Sequence, residues 1–134
     1  MTNDTAIRQL TATIASGASA SAAFHMNGEF AIVGFRVPAT WTTANLRIQV
    51  SMDPIVRLPS DSAPSTFEYA YDDSGNAIEA VTGVVSTVVY LSTYVGGNYF
   101  KLISVNQGAG PSTGSGSTVN QAGARDVIVL YKKV

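Results

Sequence analysis

Apolar and polar residues alternate along much of this chain with a period of two, and no helical period runs for three turns. From Asn45 to Met52, Leu46, Ile48, Val50 and Met52 alternate with Arg47, Gln49 and Ser51. That is the pattern of a strand with one face in a core and the other in water. Glu29 to Val37 is instead nearly continuous in apolar residues, and Gly34 within it marks a bulge or a close backbone approach. Pro38 then ends ladder pairing, because it has no N–H to donate.

Phe67, Tyr69 and Tyr71 alternate into Asp72-Asp73-Ser74-Gly75-Asn76, and Ala77 to Val81 returns. These turn residues tolerate positive φ and hydrogen-bond their own backbone, so a hairpin is expected. Val84 to Leu91 is a β-branched run, Gly96-Gly97 breaks the chain, and Asn98 to Val105 and Asp126 to Tyr131 follow as strands. Leu10 to Ala15 and Ala20 to Met26 are weaker ones. About eight strands at regular spacing predict an all-β, antiparallel sandwich or barrel.

Two segments fall outside this pattern. Residues 1–9 are polar except for Ala6 and Ile7 and read as a flexible N-terminal arm. Residues 106–118 are rich in glycine and serine, too poor in apolar groups to pack. Asp53 to Ser65, with Pro54, Pro59 and Pro64, is a further irregular excursion. None of these looks like a domain boundary, so residues 10–134 are expected to form one domain.

Composition narrows the function classes. Of 134 residues, 46% are hydrophobic and only 13% are charged, about half the usual ~25% charged fraction. The net charge of −1 leaves no basic footprint for nucleic acid and no polybasic patch for a membrane. With no cysteine there is no disulfide framework, thiol nucleophile or thiolate metal site. No basic segment followed by an apolar stretch opens the chain at Met1-Thr2-Asn3-Asp4, so no signal peptide is expected. A folded chain this poor in charge also suggests a surface covered by something else, such as another subunit.

Candidate chemistry is sparse. His25 is the single histidine, and no G-x-S-x-G elbow accompanies it, so a structural or surface role is expected over a triad. The Asp72–Asn76 oxygens alternate as in calcium loops but lack the later bidentate glutamate, since Gly83 occupies that position. Glu68 and Glu79 are expected to face one another across the hairpin, as solvated charges rather than a glycosidase pair. Gly108-Ala109-Gly110 precedes neither a lysine nor a helix and is no phosphate cradle. The reading is a protein without catalytic residues, metal or cofactor. Runs apolar on both faces, such as Phe30 to Phe35, Val84 to Leu91 and Val127 to Leu130, either lie centrally in sheets or meet another subunit.

Four stretches carry a resemblance: TIASGASAS at 13–21, FRVPATWTTANLRIQVSMD at 35–53, YDDSGNAIEA at 71–80 and VNQAGARDVIVL at 119–130. In this order they resemble a family of small virion proteins of tailed bacteriophages, similar to capsid decoration or cement proteins. The resemblance implies a jelly-roll sandwich placed on the outer capsid surface after synthesis in the host cytoplasm. It also implies a homotrimer with the major capsid protein as partner. Asn3, Asp4, Ile7 and Arg8 of the arm are then the candidate capsid contacts. The 53–65 insert and the 106–118 loop depart from the family pattern.

Two alternatives stand beside this reading. A jelly roll is also a lectin scaffold, so a carbohydrate- or receptor-binding module would display Trp41, Tyr69 and Tyr71 as an aromatic platform. The other is a structural component of the tail or head–tail junction.

Overall fold

The apolar runs become strands largely where their pattern places them. The computed structural model describes residues 6–80, 85–106 and 117–133. Among these the strands are β1 (Arg8–Ile14), β2 (Phe30–Arg36), β3 (Asn45–Ser51), β4 (Glu68–Tyr69), β5 (Glu79–Ala80), β6 (Val88–Gly96), β7 (Tyr99–Val105) and β8 (Arg125–Lys133). They form two antiparallel sheets. The first has the order β1-β8-β2-β6; in the second, β3 lies at the centre with β7 pairing it and with β4 and β5 as further neighbours.

One further segment completes the second sheet. The strand expected over Ala20 to Met26 does not form as a regular one: residues 18–24 run beside β7, meeting it at isolated bridges from Ala20 to Ile103 and from Phe24 to Phe100. The Ser21 N–H donates to Leu102 O (2.9 Å), and Phe24 and Phe100 exchange N–H···O bonds at 3.0 and 2.8 Å. Taking this segment as the second strand position, and β4 with β5 as the fifth, the pairings are first with eighth, second with seventh, third with sixth and fourth with fifth. A long antiparallel ribbon folded and rolled in this way is an eight-position jelly roll.

The core lies between the sheets. Ile14, Ile32, Phe35, Leu46, Ile48, Phe100, Leu102, Val127 and Val129 meet there, all essentially inaccessible to water. Burying each such side chain contributes about 1.5–3 kcal/mol. β2 and β8 are apolar on both faces because they lie centrally in their sheet. Gly34 serves both roles expected of it. The register shifts between Ile32 and Gly34, and a Cβ added at Gly34 would lie 2.7 Å from the carbonyl oxygen of Val89.

Four further expectations are corrected. β1 begins at Arg8 rather than Leu10, because Arg8 and Gln9 already pair with Tyr131 and Leu130. β6 runs from Val88 to Gly96 rather than from Val84 to Leu91. Before it, Ser86 turns at φ 56° and donates its N–H to Val37 O, while Val84 lies outside the described residues.

The third correction concerns the outer arms of the hairpin, whose inner part forms as expected, with Tyr71 bridging Ala77 and the Ile78 N–H donating to Ala70 O (2.9 Å). Glu68 and Tyr69 pair with Val50 and Gln49, while Glu79 and Ala80 pair with Arg47 and Leu46. The two arms are therefore successive stretches along β3, and the chain between them makes a short excursion closed by the Tyr71–Ala77 bridge. Glu68 and Glu79 do not face each other. Fourth, β3 does not keep one wet face: Arg47 and Ser51 are buried, and Met52 has left the sheet with 71% of its surface exposed.

One end of the roll is closed by hydrogen bonds. There the buried Gln121 side chain accepts the Thr42 N–H (2.8 Å) and donates to Thr42 O (3.2 Å). Its backbone bonds Gly17 and Ala18. At the same end Asn106 donates its N–H to Ser117 O, closing the base of the glycine-rich loop, whose residues 107–116 lie outside the described residues.

Candidate interaction surfaces

The residues singled out for chemistry do not converge. His25 is exposed; its Nδ1 accepts the Asn27 N–H (3.3 Å) and its ring meets Tyr99 edge-on at 5.3 Å. Asp72 Oδ1 accepts the Ser74 and Asn76 N–H groups (3.0 and 2.9 Å), and Gly75 adopts φ 83°, so the acidic run is a self-capped turn. Glu79 is taken up by Arg47, whose Nε lies 2.8 Å from its Oε1, and by Asn45, whose Nδ2 donates to Oε2 at 3.0 Å. Among the described residues no group of three or more His, Asp or Glu side chains could hold a metal ion.

The aromatic platform is not assembled. Trp41 is only 7% exposed, packs in the core and donates its Nε1–H to Ala44 O (3.2 Å). Tyr69 is half-buried beneath the Arg47 guanidinium, 5.8 Å from its ring centre, and only Tyr71 is exposed. Of the arm contacts, Asn3 and Asp4 lie outside the described residues, and Ile7 is exposed. Arg8 sits in β1 with its guanidinium 5.0 Å from the Phe30 ring.

Exposed large apolar side chains instead gather in two places, the first of which the two-sided run at 84–91 marks and the second of which no motif does. The first is β6, an edge strand of the first sheet among the described residues. β6 carries no charged residue from Val88 to Gly96, and it alternates Val89 and Leu91 toward the core with Val88 and Tyr90 outward. Tyr90, 61% exposed, is the register partner of Gly34, and Tyr94 is exposed beyond a break in register with Lys132 Nζ 5.0 Å from its ring. Between β6 and β5 a groove of about 350 Å³ opens, lined by Asp72, Ile78, Glu79, Val89, Leu91 and Thr93 among others.

The second place is one end of the roll. Met52, Val56 and Leu58 are exposed on the 53–65 excursion and its base, and Ile7 is exposed just before β1. These belong to one end. Arg8 and Tyr131 are register partners, as are Phe30 and Lys133, and a Cβ on Gly28 would lie 3.5 Å from Asn98 and 3.6 Å from Ile55. The excursion was legible as prolines. That its apolar side chains point outward was not, because the anchors lie on Asn98 and Tyr99, far along the chain.

Compared with protein-family models, curated proteins and solved structures, the chain matches none.

Proposed function

We propose that this protein is a non-enzymatic structural component of a tailed-phage head. It binds the outside of the capsid shell as a decoration or cement protein and stabilises the head as a homotrimer. The phage assignment rests on the four resembling sequence stretches. The structural observation that supports a building-block role is β6: a nine-residue edge strand without a single charge, presenting Val88, Tyr90 and Tyr94. Edge strands of proteins that work alone are usually blunted by lysine, proline or inward charges, and exposed apolar patches mark interaction surfaces.

A shell under internal pressure benefits from a rigid clamp present in many copies, because repeated modest contacts add to a durable attachment. The major capsid protein is the partner in this reading. Light scattering on the purified protein should give a mass near three times 14.0 kDa, and Tyr90→Asp with Tyr94→Asp should reduce it to the monomer. Mixed with expanded heads that lack it, the trimer should sediment with them, and deleting residues 2–9 should weaken that binding. Failure of the intact protein to bind heads would refute the decoration role. A copy number matching a single ring rather than the shell would move it to the head–tail junction.

A further inference from the structure

The loop from Met52 to Thr66 is pinned at its neck, its tip and its flank. Asp53 Oδ2 accepts the N–H groups of Ser65 (2.9 Å) and Thr66 (3.2 Å), closing the neck. Asp61 Oδ2 accepts those of Arg57 (2.9 Å) and Leu58 (3.0 Å), and the Asp61 N–H donates back to Leu58 O (3.0 Å), which fixes the tip. Tyr99 Oη accepts the Val56 N–H at 2.8 Å, and Asn98 Nδ2 donates to the carbonyls of Met52 and Asp53, both at 3.1 Å. Pro54, Pro59 and Pro64 further restrict the unfolded loop.

What this framework holds outward is apolar. Met52 is 71% and Leu58 61% exposed, with Val56 between them in sequence. Grouped exposed apolar side chains mark interaction surfaces, and none of these three belongs to the core. A loop already held in one shape loses little conformational freedom on docking.

Resting on the capsid reading above, we infer that this loop is a preformed docking element that inserts Met52, Val56 and Leu58 into an apolar, uncharged depression of the shell protein. Two features select that occupant. The chain enters β1 at this same end, where the exposed Ile7 and the loop's apolar side chains share one end of the roll. The loop also carries no excess cation: Arg57 stands beside Asp61, and Asp53 adds a second carboxylate, held by backbone N–H groups. A nucleic acid or an anionic membrane would call for unbalanced cations.

Two measurements on expanded heads lacking the protein test this. The first compares binding of the intact protein with that of Leu58→Asp, whose exposed site leaves the fold unaffected in a thermal melt. The second compares the oxidation rate of Met52 in free and head-bound protein, with the buried Met26 as internal control. The inference expects at least about a tenfold loss of affinity for Leu58→Asp and protection of Met52 on the heads. If the intact protein binds but Leu58→Asp binds equally and Met52 oxidises at its free rate, the loop inference is overturned while the decoration reading stands. If Leu58→Asp instead abolishes the trimer mass in solution, the loop contacts a second copy and the inference is likewise overturned. If the intact protein does not bind heads, both fall together.

Discussion

Arg47 and Glu79, 32 residues apart in the chain, form a buried ion pair at 2.8 Å, with 1% and 7% of their side chains exposed. The pair ties the central strand of one sheet to its edge, and Asn45 donates to the second carboxylate oxygen. Such a pair adds little relative to apolar residues of equal volume, but removing one partner strands the other charge away from water. Glu79→Ala should therefore destabilise the protein by about 3–5 kcal/mol in denaturant unfolding. Replacing both residues together, as Arg47→Met with Glu79→Leu, should recover most of the loss. A single substitution as mild as an exposed one would show that the pair does not hold β5 in place.

Gly34 should not accept a side chain. A Cβ there meets the Val89 carbonyl at 2.7 Å, closer than real contacts allow, and the obstacle is backbone. Gly34→Ala must push β6 away from β2, and about 1–3 kcal/mol of destabilisation is expected from such overpacking. An unchanged melting temperature would refute this account of the glycine.

Acid should loosen the 52–66 loop before the core. Hydrogen bonds from the Ser65 and then the Thr66 backbone hold Asp53 below the usual aspartate pKa, and bonds from Arg57 and Leu58 do the same for Asp61. A carboxylate whose folded pKa is depressed contributes stability above its unfolded pKa, and that contribution is lost as pH falls through the folded value. The loop should thus be intact at neutral pH and open below the ordinary aspartate pKa of about 4. Met52 oxidation and amide exchange at Ser65 and Thr66 should rise there, with exchange already raised at neutral pH in Asp53→Asn. Identical profiles for that variant and the parent would refute the clasp.

Trp41 reports on the core. Its burial and its bond to Ala44 O predict blue-shifted emission that acrylamide quenches poorly. Red-shifted, readily quenched emission would return Trp41 to the surface and restore the aromatic platform.

Much of the architecture was legible in order along the chain. The alternation at 45–52, the two-sided run at 30–35, the glycine within it and the turn at 72–76 each depend on neighbours a few residues away, and local periodicity reports those directly. They sufficed for strands, an antiparallel all-β fold and the position of a bulge. The same periodicity misjudged Arg47, because a charged residue in an alternating strand normally faces water. Only pairing with β5 brings Glu79 to it. It placed the hairpin at 70–78 but not its outer arms: the turn sequence says that the chain reverses, not how far the flanking strands stay paired before β3 takes them up.

The sequence by itself therefore determined that the chain is built of antiparallel strands, roughly where most of them lie, and that it is poor in charge. Tertiary structure alone decided which faces remain open. Trp41 sank into the core because the roll closes over it, whereas β6 lies at the edge of its sheet and the 52–66 loop was pinned by Asn98 and Tyr99 with its apolar side chains outward. Those outcomes depend on contacts between residues distant in sequence, and local pattern carries no information about which distant partner arrives.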